Sequence, residues 1–515
     1  MKNIVTTIFI LLFTNHVFAN NLAISAPVYN AETLTFTISW DNSWNISTGP
    51  SNHDAVWVFI KRQKCTGNND WVHQLVSTSS GDHLAKTGVN TSTVVSVIGV
   101  SDGMGVFIKR IGTDVVGAVA SQTITLKLAA TNPSISMTTA DNFKVIGMEM
   151  VYVPQGEFFI GDGRPSNSHN FSAGNTTSPL KITNAIQNVN GLGAASNYTS
   201  NLIYGCSSPL PTTFPLGYNG FYTMKYEILQ GVFIEYLNSL TYDQQNQRLK
   251  MSNQTYNANG TPPVLFHVNS GSNTTSVFTT TAGNYNTKSA VFGGNYPFIP
   301  MSCMNWQDLT SILDWSGLRP MTEFEYEKAC RGNNGGPTGT ANAPVAYEFP
   351  WGNTILNGVN SVNTGTNLDV ITYSTSSTTI WTIYEGACRN SAGNGPVRAG
   401  FAATSTSNRS QSGATYYGIM EMAGNVWEQC VGGGAGYDYS RFSTTNGDGV
   451  LTSNGYANEA EWPSAGGTNS GTILKGGSFW HNWSFNVYQV SDRSGFGGTD
   501  SNRNYYVGGR GVRSF

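Results

Sequence analysis

The stretch Tyr416-Tyr417-Gly418-Ile419-Met420-Glu421-Met422-Ala423-Gly424-Asn425-Val426-Trp427-Glu428-Gln429 limits what this chain can fold into more than any other. Apolar Ile419, Met420 and Met422 lead into Ala423-Gly424-Asn425, small residues suited to positive φ. Val426 and Trp427 then bring apolar bulk straight back. The backbone must therefore turn a tight corner with buried side chains on either side. Asn425 and Glu428 place side-chain oxygens three residues apart around that corner, which also frees backbone carbonyls. A hard cation such as calcium takes ligands of this kind. The same residues also read as a capped β-turn closed over a buried tryptophan.

Composition narrows the surroundings. Only 11% of the 515 residues are charged and the net charge is -3, which excludes the basic stripe of a nucleic-acid surface. It excludes a polybasic membrane patch as well. With 39% hydrophobic and 12% aromatic residues the chain can build a core, and 58 glycines suit a loop-rich extracellular protein. Residues 1–19 carry Lys2, an apolar run to Phe13 and a small residue at Ala19, the pattern of a secretory signal peptide. No later stretch reaches membrane-spanning length. Six cysteines, Cys65, Cys206, Cys303, Cys330, Cys388 and Cys430, are permitted disulfides in an exported protein. None forms a C-x-x-C pair, so a zinc cluster is not expected.

Residues 20–128 read as an all-β, sandwich-like domain. Leu34, Phe36, Ile38 and Trp40 alternate with Thr33, Thr35, Thr37 and Ser39, a half-buried strand that ends at an Asp41-Asn42-Ser43 turn. Residues 55–61 are apolar on both faces and predict a central strand. Val58-Phe59-Ile60-Lys61-Arg62 recurs as Val106-Phe107-Ile108-Lys109-Arg110, two equivalent strands of one sandwich. Residues 120–128 form the last strand. Residues 129–146 read as a linker, and residues 147–515 as a second domain opening with a strand or hairpin over 148–160. Residues 164–200 are a polar insertion without evident chemistry. Helical spacing predicts helices over 226–240 and 305–316, and Thr322 with Glu325 is a capping box that opens a short helix ending at Gly332.

Five ordered pieces carry a resemblance. They are Met150-Val151-Tyr152-Val153-Pro154-Gln155-Gly156-Glu157-Phe158, Arg319-Pro320-Met321-Thr322-Glu323-Phe324-Glu325-Tyr326-Glu327, Phe349-Pro350-Trp351-Gly352-Asn353, the Gly-Asn-Val-Trp-Glu corner, and Leu474-Lys475-Gly476-Gly477-Ser478. Together they resemble the formylglycine-generating-enzyme (sulfatase-modifying factor) domain from about residue 147 to residue 515. The resemblance implies an α+β, C-type-lectin-like fold with much loop and little regular sheet. It also implies a structural calcium at Asn425, Glu428 and the carbonyls of Gly424 and Val426, with a second calcium near Asn360-Ser361.

The family's oxidase activity rests on two cysteines shortly after Gly-Gly-Ser that bind copper(I), an ion that needs soft thiolates. Counted from Gly476-Gly477-Ser478, those positions are His481 and Asn486, and no cysteine follows Cys430. Copper is therefore not expected. Ser478 matches the family's active-site serine. The related branch with a non-heme iron site needs clustered histidines. The seven here, His16, His53, His73, His83, His169, His267 and His481, are scattered. No G-x-S-x-G or H-E-x-x-H motif occurs.

The segment from Phe479 to Arg493 lines the substrate groove in the family, and here it crowds aromatics with Asn, His and Arg. Ser478, Trp480, His481, Trp483, Asn486 and Arg493 are the expected ligand contacts, for an extracellular peptide, protein or glycan. Half of these rings read equally well as core. In the closing Arg510-Gly511-Val512-Arg513, Arg513 is expected as a buried ion-pair partner. Three functional readings follow: an exported non-catalytic binding or structural module, an enzyme with altered chemistry that uses His481, and a lectin-like variable receptor.

Overall fold

The computed structural model describes residues 21–514 apart from 64–69, 87–92, 130–140, 164–169, 172–177, 184–212, 250–277, 282–290, 295–296, 333–343, 356–395, 397, 404–406, 433–441, 465–470, 480–484, 497–502 and 505. The fold is mostly β, with mixed sheets and few helices. The signal-peptide pattern, Cys65, Cys206, Cys388 and the Asn360-Ser361 region lie outside the described residues.

Alternating strands build the first layer. Thr33–Asn45 pairs antiparallel with Val115–Lys127, with short strands flanking both, in a five-stranded sheet. The expected turn at Asp41-Asn42-Ser43 is instead a bulge within one long strand, with register shifts between Ile38 and Ser43 and Asn42 at φ 54°. The cause is Asp54. Its buried carboxylate accepts from the Trp40 indole at 3.0 Å, the Ser43 hydroxyl at 2.7 Å and the Trp44 amide at 2.9 Å, so it pins the irregular backbone in place.

Strand Asp54–Gln63 is central, as its doubly apolar pattern predicts. Val56, Val58 and Ile60 face Leu34, Phe36, Ile38, Ile124 and Leu126 of the five-stranded sheet. Ala55, Trp57 and Phe59 face the opposite way, into a core with Met148, Met150, Tyr222 and Trp315. The repeated sequence pair lies side by side in one sheet, with Trp57 opposite Phe107.

The expected linker needs correcting. Residues 142–146 belong to strand Asn142–Val153, which pairs with Asp54–Gln63 over ten residues, from Asn142↔Gln63 to Val151↔Asp54. The same strand pairs at its other edge with Phe221–Met224, which pairs with Gly511–Ser514. One eight-stranded sheet therefore runs from the N-terminal region through to the chain's last strand. Such a strand can leave no donors unpaired in the interior, and both its neighbours supply the ladder.

Helix Gln230–Leu237 is shorter than expected, because Leu229 is drawn off into a bridge with Pro300. Helix Trp306–Trp315 is capped by Asn305, whose side chain accepts from the Asp308 amide at 2.9 Å. Buried Lys61 donates to the carbonyl of Trp315 at 2.6 Å, satisfying an acceptor at that helix's C-terminus. Helix Glu323–Arg331 opens with the Thr322/Glu325 capping box and stops at Gly332, φ 71°. No described helix is long and apolar enough to cross a membrane.

Candidate functional site

The corner stretch feeds strand Trp427–Val431, which pairs antiparallel with Thr472–Lys475, Glu428 opposite Lys475. Two short strands, Val507–Gly508 and Gly495–Phe496, complete a four-stranded sheet. The Gly-Asn-Val-Trp-Glu and Gly-Gly-Ser corners clip together above it. The Gly424 amide donates to the carbonyl of Gly476 at 2.8 Å, and the Phe479 amide to that of Asn425 at 2.9 Å. Asn425 sits at φ 59° with no exposed surface. Gly476 is required at φ 84°: a Cβ there would lie 2.6 Å from the carbonyl oxygen of Met422 and 2.9 Å from the Tyr326 hydroxyl. That hydroxyl donates to the same Met422 carbonyl.

The acid of the corner already has a cation. Both oxygens of Glu428 accept from Arg510, each at 2.7 Å, and neither side chain reaches solvent. Arg510 also donates to the carbonyls of Met420 at 2.9 Å, Met224 at 3.1 Å and Lys225 at 3.3 Å. Burial pushes the Glu428 carboxyl up, and Arg510 pulls it back down. In the expected calcium set of Gly424, Asn425, Val426 and Glu428, the one charged ligand is engaged by a bidentate guanidinium.

The expected ligand contacts separate. Ser478 has no exposed surface, and its carbonyl accepts from the Tyr488 hydroxyl at 2.8 Å. Arg493 is buried too: Nε and Nη2 donate to Glu323 at 2.7 and 2.8 Å, and the guanidinium lies 4.1 Å from the Phe171 ring centre. These two are part of the interior, a correction with a clear cause, since a buried arginine needs its carboxylate. Asn486 is exposed, on the 3-10 turn Phe485–Tyr488. Trp480, His481 and Trp483 lie outside the described residues. Arg513 is buried as expected. It pairs with Asp102 at 2.6 Å and lies over the Trp57 ring, tying the last strand to the N-terminal region.

Among the described residues the cysteines are Cys303, Cys330 and Cys430; all are buried, and burial holds the thiols of Cys330 and Cys430 well above their ordinary range. Protonated interior thiols are poor ligands for a soft ion.

Two groups were not legible in the sequence. Asp314, Asp448 and Glu459 bring their oxygens within 4.8 Å of one another. The Asp314 carboxylate accepts from the amides of Asp448 at 3.0 Å and Asn458 at 3.1 Å, which makes it a clasp for the loop over 447–458. Glu227 and Glu421 lie close to the Arg510–Glu428 pair. Burial pushes the Glu421 carboxyl up to about 7, although the Gly400 amide donates to it at 2.9 Å. Glu227 is pushed up well above its usual range. Isolated glutamates in apolar stretches gave no spacing signal that would have joined them.

A four-stranded sheet clipped by two glycine corners, and arginines buried against carboxylates, define a loop-rich, mostly β domain rather than a regular sandwich. The family model described as the sulfatase-modifying factor enzyme 1-like domain matches residues 138–515, and the chain belongs to that family. No curated protein matches the chain. The family match begins just before strand Asn142–Val153, so the strand that joins the family domain to the N-terminal region lies within the match.

Proposed function

We propose that this protein is an exported, non-oxidase member of its family that works as a binding or structural module with a C-type-lectin-like fold. One observation carries the reading: His481 and Asn486 stand where the family's copper-binding cysteines belong, and no cysteine follows Cys430. An asparagine cannot act as a soft ligand, and one imidazole leaves copper(I) without its thiolate pair. The burial of Ser478 and the pairing of Arg493 with Glu323 support the same reading, because both leave the chemistry of a groove for the chemistry of a core. Exposed Asn486 and its aromatic neighbours in sequence then offer recognition of an extracellular peptide, protein or glycan.

The test is copper(I) titration of the purified protein together with incubation with a cysteine-containing sulfatase peptide. We expect no stoichiometric copper and no mass change at the peptide cysteine; turnover would overturn the reading. A glycan and peptide array supplies the positive side, with binding expected to fall on Asn486→Ala. Export is checked by N-terminal sequencing of secreted protein, which should begin after Ala19.

A further inference from the structure

A cavity of about 190 Å³ lies between strand Asn142–Val153 and the segment running from Met224 into helix Gln230–Leu237. Its walls are mostly apolar and include Leu22, Met148, Met224, Val232 and Phe298. Glu227 lines it, has no exposed surface, and has no hydrogen-bond partner for either carboxylate oxygen among the described residues. A buried carboxylate with two idle oxygens is costly, since each lost partner leaves its desolvation uncompensated.

The neighbouring charges are otherwise accounted for. Glu149 lies 3.6 Å from Lys225, and Glu428 holds Arg510. Arg398, also on the cavity wall, acts on Glu421 and Tyr226. Arg510 acts on Glu227 but gives its hydrogen bonds to Glu428 and to backbone carbonyls, so Glu227 has no hydrogen-bonded cation, and a compact cation with an apolar body would complete it by favouring its charged form. A divalent metal does not suit the site, because its two carboxylates, Glu149 (3.6 Å from Lys225) and Glu227, fall short of the six or more oxygens a hard ion takes. The volume sets the size of the body: an apolar cavity of ~150 Å³ accepts benzene.

We propose that this cavity binds a small monoamine, its ammonium paired with Glu227 and its apolar body against Met148, Met224 and Phe298. No described residue after Gly-Gly-Ser lines the cavity, and its standing does not depend on how that segment works. Benzylamine is the probe and benzyl alcohol its neutral counterpart, each titrated calorimetrically into the full chain. We expect benzylamine to bind at least tenfold more tightly than the alcohol. Glu227→Gln should erase that preference while the alcohol still binds. Val232→Phe, which fills the cavity, should abolish binding of both. Failure of the wild-type protein to bind benzylamine, equal affinity for the two probes, or amine binding untouched by Val232→Phe would each overturn the proposal. Should Glu227→Gln fail to fold, the amine-to-alcohol ratio in the wild type and the Val232→Phe arm decide it.

Discussion

Strand Asp54–Gln63 is packed between two apolar cores, but the regions on its two sides are held differently. Toward the five-stranded sheet the core is aliphatic and aromatic: Leu34, Phe36, Ile38, Val56, Val58, Ile60, Ile124 and Leu126. Beyond the other face lies a region held by arginines buried against carboxylates: Arg319–Glu325 at 2.6 Å, Arg493–Glu323 at 2.7 Å, Arg510–Glu428 at 2.7 Å, and Arg331 with Glu327 and Glu348. The first kind of core is non-directional and tolerates small changes of shape. The second is directional. Each guanidinium collects carbonyls and carboxylates from distant parts of the chain, which lets short strands and long loops hold one arrangement without much regular sheet.

The largest contrast should come from Arg510→Ala. It leaves Glu428 buried beside Glu227 and Glu421 with no counter-charge, and a loss of about 3–5 kcal/mol is expected by urea denaturation. Replacing both partners, Arg510→Met with Glu428→Leu, should recover a large part of that loss, since an apolar pair of similar volume avoids the desolvation cost. If the double variant is no more stable than Arg510→Ala, the corner depends on more than charge balance.

Next in size is a pH effect confined to the ion-pair region. Glu421 has a folded pKa of about 7 against an ordinary value of 4.5, so the folded state holds a proton that the unfolded chain releases between those values. Stability from this group is full below about 4.5 and is lost as the pH rises to about 7. Glu421→Gln should therefore gain on the wild type across that window, by on the order of a few kcal/mol at its upper end. Parallel stability curves for the two proteins from pH 4.5 to 7 would show that Glu421 ionises normally.

On the aliphatic side, Ile60→Val should cost only about 1 kcal/mol, as the loss of one buried methylene. Because a single sheet spans both regions, calorimetry of this variant should still give one transition. A separate early transition would show that the sandwich melts alone. The smallest effect belongs to Asn486→Ala, an exposed position, with a change in stability within about 0.5 kcal/mol. A larger loss would move Asn486 from the recognition surface into the framework.

Much of the architecture was legible in the sequence, and for local reasons. Alternation at Leu34, Phe36, Ile38 and Trp40, the doubly apolar run at 55–61, the Thr322/Glu325 cap and the glycine corners each act within a few residues. The family, too, could be read from its ordered motifs. That His481 and Asn486 carry no thiolate, and that no cysteine follows Cys430, needs no coordinates at all, because the identity of a ligand atom is a property of the residue. Tertiary structure alone decided the rest. That Asn142–Val153 is a shared strand and not the end of a linker depends on a partner 79 positions earlier in the chain, Asn142 against Gln63. That Glu428 holds Arg510, that Arg493 holds Glu323, and that the Glu227 oxygens accept no hydrogen bond among the described residues depends on which charges meet when the loops close. A lone carboxylate reads the same in sequence whether it awaits a metal, an arginine or a ligand, since only burial and the neighbours brought by folding set its chemistry.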